Sequence, residues 1–284
     1  MKTILSKRLE PFLLLLPSVI YLLIFFAWPM VKAFGLAFRT KNGTWTLEYV
    51  ERMINDANFL PAVKTTAVLI LSIIPLQFLL ALAMALLITA RLRGSGALVY
   101  IYALPIAVSD LAAGIVWFSI FTERGYLNTI LDGLGVLDKP FIFLQFGSPW
   151  VIIAVILAEV WRATSIVFVI LLAGLQGIPK EYDEAAEVFG AGWIARLWRV
   201  TLPMLRPSIQ VALVLRTILA FQVFAVVVAL TGDAVKVLSS EAYMWYTQWR
   251  NLNVAAAYAA FILLVTLATT AIYLRTLRVE ERAL

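Results

Sequence analysis

The sequence predicts an all-α protein, a polytopic membrane bundle of six transmembrane helices. Three observations carry that prediction. Of the 284 residues, 63% are hydrophobic and 14% charged, whereas a soluble domain carries about 45–50% apolar and about 25% charged residues. The apolar residues gather in long runs nearly free of charge. The basic residues sit at the ends of those runs, so the formal net charge of +6 points to an anionic membrane surface and not to nucleic acid.

A helix that crosses a bilayer needs about 20 mostly apolar residues. The runs 11–31, 65–90 and 251–274 contain no charge. The run 94–122 contains only Asp110, 140–179 contains Glu159 and Arg162 before its end, and 207–232 contains only Arg216. The spans are accordingly placed at about 11–31, 65–90, 97–121, 150–177, 208–231 and 254–274 of a single transmembrane domain covering 1–284. The first run follows Lys2, Lys7 and Arg8. It is too long for the apolar core of a signal peptide and lacks a small-residue cleavage site after it, so it is read as an uncleaved span.

Six spans put both termini on one side. With the termini inside, the inner segments hold 12 Lys and Arg in 54 residues and the outer ones 9 in 68. This bias places both termini in the cytoplasm of a multi-pass protein of the cell (inner) membrane. Trp28, Trp45, Trp150, Trp245 and Trp249 fall near the outer ends, where indole rings favour the interface. In the outer segment 45–59, Leu47, Val50 and Ile54 have the spacing of a short amphipathic surface helix.

Four charges lie within spans, and each costs roughly 2.5–3.5 kcal/mol at the centre of a lipid-facing helix. They are expected to face a cavity or a partner. Glu159 and Arg162 are three apart on one helix face and can pair, and Ser165 continues that face. Arg216 lies two turns before Phe224, with Gln222 nearby. It fits either an interhelical ion pair or snorkelling to the inner interface. Asp110, between Pro105 and Gly114, is expected to cap a break in the third span.

The chain has no Cys and no His. That removes disulfides, thiolate metal sites, Cys nucleophiles and His general bases, and no dense carboxylate cluster suggests an enzyme. No catalytic residue and no metal ligand is assigned. There is also no GxxxxGK[ST] phosphate loop.

The inner loop PKEYDEAAEVFGAGWIARLWRVTLPMLRP, 179–207, looks folded. Pro179 suits a first helical turn. Glu181, Asp183 and Glu184 place negative charge at the positive end of the helix dipole. Gly190 and Gly192 interrupt the helix. A second amphipathic helix carries Trp193, Leu197 and Val200 beside Arg196 and Arg199, and Pro203 and Pro207 are expected to stop it before the fifth span. The result is a helix–turn–helix knob, acidic first and basic second.

The spacing Glu184-Ala185-Ala186, three residues, Gly190, nine residues, Val200-x-Leu202-Pro203 resembles the EAA signature of binding-protein-dependent ABC transporter permeases. The resemblance covers nearly the whole chain and is strongest to the maltose and glycerol-3-phosphate type, the sugar branch. Its carriers are Tyr49, Asp56, Phe59, Ala62 and Thr65, Leu104-Pro105, Trp117, Gly125 to Asn128, the LAGLQGIP stretch at 172–179, and Leu230-Thr231-Gly232 with Ala255 to Ala257. Two departures are Phe189, where the branch commonly has Asp, and Ala225, where an Asp is common.

The resemblance implies the type I ABC importer permease fold and a transport subunit that is not itself an enzyme. It implies that Glu184, Ala185, Ala186, Gly190, Leu202 and Pro203 belong to a coupling helix seated in a cytoplasmic ATPase. It implies a substrate pathway along the fourth and fifth spans, for which Glu159, Arg162, Ser165, Arg216, Gln222 and Phe224 are the candidates. The implied partners are a second permease subunit in a heterodimer, two ATP-binding cassette subunits holding ATP-Mg, an extracytoplasmic solute-binding protein and membrane lipid. This chain would bind no cofactor. The implied cargo is a sugar or related polyol. The alternatives are a non-sugar solute such as a polyamine, or an ion-coupled secondary transporter using Glu159 and Asp110.

Overall fold

With no water in the hydrocarbon core to bond backbone groups, each apolar run must satisfy its own peptide hydrogen bonds, which favours helix. The computed structural model describes residues 2–40, 42–90, 94–137 and 139–277. Among these residues five helices are long and apolar enough to cross a membrane, and a bent helix pair makes a sixth. The basic residues at 41, 91, 93, 278 and 282 that entered the orientation count lie outside the described residues. The chain divides into two units, and each is described by itself.

The first unit comprises Met1–Phe59 and Glu241–Leu263. It opens with α1 (Lys2–Leu22), a π turn (Leu23–Ala27) and α2 (Trp28–Gly35). From Phe12 to Gly35 no residue is buried within the structure, as expected of a helix whose solvent is lipid. The outer segment forms α3 (Glu48–Ile54), which buries Met53. Just beyond it, Asp56 accepts hydrogen bonds from Trp245 Nε1 at 2.7 Å and from Tyr258 OH at 3.1 Å. One carboxylate thereby fixes two residues 189 and 202 positions further along the chain. Arg52 adds a cation–π contact 5.3 Å from the centre of the Trp245 ring.

The second unit comprises Leu60–Ser240 and Leu264–Leu284. It contains most of α4 (Phe59–Thr89), then α5 (Ser95–Ala103), α6 (Asp110–Phe121), α7 (Tyr126–Gly133) and α8 (Pro149–Gln176). Between α8 and α11 the chain forms α9 (Lys180–Val188) and α10 (Trp193–Arg196). A π turn (Leu197–Thr201), α11 (Leu202–Phe221) and α12 (Ala225–Thr231) follow. The connecting α13 (Leu238–Thr247) and α14 (Leu252–Thr276) run across both units. Helix α8 is the axis of the second unit, with Val155, Ala158, Val167, Phe168 and Leu171 nearly inaccessible. It packs against α11, α6, α12 and α5.

Three expectations need correction. The third span, placed over 97–121, breaks as expected between Pro105 and Gly114, and its two arms meet at 102°, but Asp110 does not cap the break. Pro105 begins a 3-10 turn (Leu104–Ala107), and Val108 and Ser109 are extended. The cap of α6 is Ser109, whose Oγ accepts from Ala112 N–H at 3.2 Å, and Asp110 is freed for another partner. The fifth span, expected over 208–231, is also broken. Helix α11 ends at Phe221, and Phe224 leaves helical geometry with φ −137° before α12 begins.

The third correction concerns Pro203 and Pro207, which do not stop the knob's second helix. The helix runs unbroken from Trp193 to Phe221. The π turn explains how: Leu202 N–H bonds Leu197 O, five residues back. This widened turn contains Arg199, the residue whose carbonyl a proline at 203 would crowd in a regular helix. The same arrangement recurs near the N-terminus, where Trp28 N–H bonds Leu23 O just before Pro29.

Close helix approach is built on small residues. A Cβ on Gly114 of α6 would lie 2.6 Å from Ala229 Cβ and 3.1 Å from Val226 O, both on α12. Gly174 of α8 likewise gives its space to Ser208 and Leu205 of α11. We therefore expect Gly114→Ala to destabilise the protein by about 1–3 kcal/mol through overpacking, read as a lower unfolding temperature in detergent. Gly133→Ala, with nothing within 4 Å of the added carbon, should leave that temperature unchanged.

Candidate functional site

Two polar constructions stand out in an otherwise apolar unit, and α11 with its N-terminal extension joins them. The first is the knob. Helix α9 starts after Pro179, which occupies the cap position, one residue earlier than its expected place in the first turn, and it carries Glu181 and Asp183 in that turn. It ends in a Schellman motif: Ala191 N–H bonds Ala186 O at 2.9 Å, and Gly190 N–H bonds Glu187 O at 2.8 Å. Gly190 holds φ +81°, a left-handed conformation that side chains with a Cβ rarely adopt. The four-residue interval between Ala186 and Gly190 is thus the interval between the carbonyl acceptor and the left-handed glycine of one cap.

Arg196 closes the knob from the other side of the turn. Its Nη1 lies 2.5 Å from Glu187 Oε2 and 3.5 Å from Asp183 Oδ2. Acidic α9 and basic α10 are therefore clamped on each other. Behind them lies a cleft of about 410 Å³, bordered by Asp183, Glu184, Trp193, Arg196 and the inner ends of α4 and α8. Of the expected coupling residues, Glu184 borders this cleft and Ala185 is exposed. Ala186 and Gly190 form the cap, and Leu202 and Pro203 open α11 directly after the π turn.

The second construction is a chain of charges, buried at Glu159 and Arg216 and opening to the surface at Asp110. Arg216 of α11 is wholly inaccessible. Its Nη2 donates to Glu159 Oε2 of α8 at 2.9 Å, and its Nε donates to Gln77 Oε1 of α4 at 2.6 Å. Gln77 Nε2 donates in turn to the Glu159 backbone carbonyl at 2.9 Å. Arg162 approaches Glu159 Oε1 at 3.2 Å and Asp110 Oδ1 at 2.8 Å. Two carboxylates meet two guanidiniums, so the cluster is formally neutral and no net charge is buried. It ties α4, α6, α8 and α11 together at one level.

The structure thus brings Glu159, Arg162 and Arg216 together, and Ser165 supports them by donating to Arg162 O at 3.1 Å. Arg216 does not snorkel, because Glu159 and Gln77 hold it inside. Gln222 and Phe224 are not part of this cluster. They occupy the break between α11 and α12, where Gln222 is exposed and Phe224 half-buried. Sequence reasoning missed Gln77. Its signal was available: it is the one amide side chain in the charge-free run 65–90.

The model of binding-protein-dependent transport system inner membrane components matches residues 77–278, a stretch that holds both constructions. The chain belongs to that family. The permease is 31% identical to the sulfoquinovosyl glycerol transport system permease protein SmoG of Agrobacterium fabrum, across 98% of its own length and 93% of that protein's. It is 30% identical to the trehalose/maltose transport system permease protein MalF of Thermococcus litoralis, across 93% and 92% of the two chains. It also matches, with a TM-score of 0.81 and 25% identity over 98% of each chain, the crystal structure of a bacterial ABC transporter involved in the import of the acidic polysaccharide alginate. A second crystal structure, the alginate transporter in complex with its alginate pentasaccharide-bound periplasmic protein, matches with a TM-score of 0.80 and 26% identity, covering 96% of the permease and 97% of that chain.

The buried cluster yields a test of the permease's stability. Glu159→Ala leaves Arg216 buried and unpaired, which costs about 3–5 kcal/mol. Glu159→Leu combined with Arg216→Met removes both charges and should recover most of that loss. Thermal unfolding in detergent of Glu159→Leu, Arg216→Met and their double variant, compared with the unaltered protein as a double-mutant cycle, measures the coupling.

Proposed function

We propose that the permease is one membrane half of an ATP-driven importer for a sugar or sugar-like polyol, with its 179–207 knob as the dock for a cytoplasmic ATPase. The observation that carries this reading is the continuity of the knob with the buried cluster. One unbroken helix, Trp193–Phe221, holds Arg196 near one end and Arg216 near the other, about 30 Å away at 1.5 Å per residue. A displacement imposed on the clamped knob is carried along this rod to the level of Glu159 and Gln77. The breaks before α6 and after α11 are the places where the bundle can yield.

In this reading both termini are cytoplasmic, a second permease subunit completes the pathway, two ATPases bind ATP-Mg, and a solute-binding protein delivers cargo from outside. The chain itself holds no phosphate loop and binds no cofactor. Glu159, Arg162, Ser165 and Arg216, with Gln222 and Phe224 at the break beyond, line the pathway. Arg162 Nε and Arg216 Nη1 are buried donors without an acceptor among the described residues, and sugar hydroxyls are acceptors of the matching kind. The sugar class is supported by the names of the relatives, whose cargoes are sulfoquinovosyl glycerol, trehalose or maltose, and alginate. The paired state of Asp110 and Glu159 speaks against proton coupling, since each acid already has an arginine partner.

Gly190→Val places a β-branched residue at φ +81° and should unfold the Schellman cap while leaving the spans intact. We expect normal membrane levels, loss of the co-purifying ATPase and loss of sugar uptake in vesicles loaded with ATP. Co-purification of the ATPase at the wild-type level would refute the docking role. Uptake that survives ATP depletion and collapses with an ionophore would refute ATP-driven transport.

A further inference from the structure

The knob presents a face that the EAA spacing does not explain. At 3.6 residues per turn, Tyr182, Ala185 and Ala186 of α9 and Phe189 at its C-terminal cap follow i, i+3, i+4, i+7 on one stripe, with Val188 at its edge beside Ala185. Asp183 and Glu187, four apart on another side, turn to Arg196. The clamp therefore fixes which way the stripe points. Phe189 is 90% exposed, Val188 85% and Tyr182 54%, while Ala185 between them is also exposed. Two aromatic rings flanking an alanine floor form a ridge with a notch. A contiguous exposed apolar patch rimmed by charge marks an interaction site, and aromatic side chains are the usual anchors of one.

The charge around the patch selects its occupant. Helix α9 carries Glu181, Asp183, Glu184 and Glu187 against the single Lys180. An anionic inner leaflet repels such a helix, so the patch is not a lipid anchor. The matching surface is a protein groove with an apolar floor and a basic rim.

We propose that Tyr182, Ala185, Val188 and Phe189 form a specificity face that selects an ATPase subunit with an apolar socket for the Phe189 ring. This rests on the reading of the knob as an ATPase dock. The helix enters its groove with one face down, and the ring at its C-terminal end is the anchor. An ATPase whose groove is polar at that place would be rejected, because the ring would bury polar groups without partners.

The test uses the whole transporter, purified through a tag on the permease. Phe189→Asp should lower the co-eluting ATPase activity about tenfold or more, Phe189→Leu should keep most of it, and membrane levels of both should match wild type. A photo-crosslinking benzoylphenylalanine at 189 should label a chain that carries a GxxxxGK[ST] phosphate loop, whereas the same group at Arg199 should not. Wild-type ATPase recovery by Phe189→Asp, equal loss in both variants, or crosslinking to lipid alone would overturn the face. Gly190→Val separates the two levels. If it abolishes ATPase recovery while Phe189→Asp does not, the dock stands and the specificity face falls. If neither variant loses the ATPase, both readings fall together.

Discussion

A charge buried in an apolar slab must be neutralised where it stands, and the second unit of this permease is arranged around that constraint. Arg216 cannot reach water, so Glu159 lies beside its Nη2 and Gln77 accepts from its Nε. Glu159, now committed on one oxygen, offers the other to Arg162, which continues to Asp110. Each carboxylate is shared with an arginine, while Arg216 Nη1 and Arg162 Nε keep no acceptor among the described residues. The consequence is mechanical: four helices distant in sequence are held at one height by contacts that have no apolar substitute of the same geometry. Hydrophobic packing alone does not fix helix height in lipid, because the tails of the bilayer are as apolar as leucine.

The irregular backbone has a related logic. Prolines that would end a helix in water are accommodated here by π turns placed just ahead of them, before Pro29 and before Pro203. In the third and fifth spans the chain breaks outright, at Val108–Ser109 and at 222–224. Both breaks adjoin helices that meet closely, α6 and α12, through Gly114. Rigid α8 and the long rod of α11 thus stand beside two short, interrupted elements. That division between a stiff axis and a jointed flank is what a pathway opened from each side in turn requires.

The knob is the counterpart of the buried cluster at the other end of the same rod. Its stability comes from local geometry, a left-handed glycine closing a cap and one arginine holding two carboxylates. A nine-residue helix of this kind would be marginal alone. Clamped, it presents a fixed face. The motif glycine serves the backbone, and the side chains of Tyr182, Val188 and Phe189 around it stay exposed.

Much of this was legible from the residues. Run length and charge exclusion determined a helical membrane protein, because lipid leaves the backbone few alternatives. The three-residue spacing of Glu159 and Arg162 determined that they share a face, and the spacing from Ala186 to Gly190 determined the cap, since helix periodicity is local. Tertiary structure decided the rest. That Arg216 turns inward to Glu159 rather than outward to the interface depends on Gln77, 139 positions away, and no local pattern reports such a contact. That Pro203 bends nothing depends on a π turn whose hydrogen bond skips five residues. Whether a charge is a pin or a snorkel, and whether a proline is a stop or a passenger, is set by what packs against it.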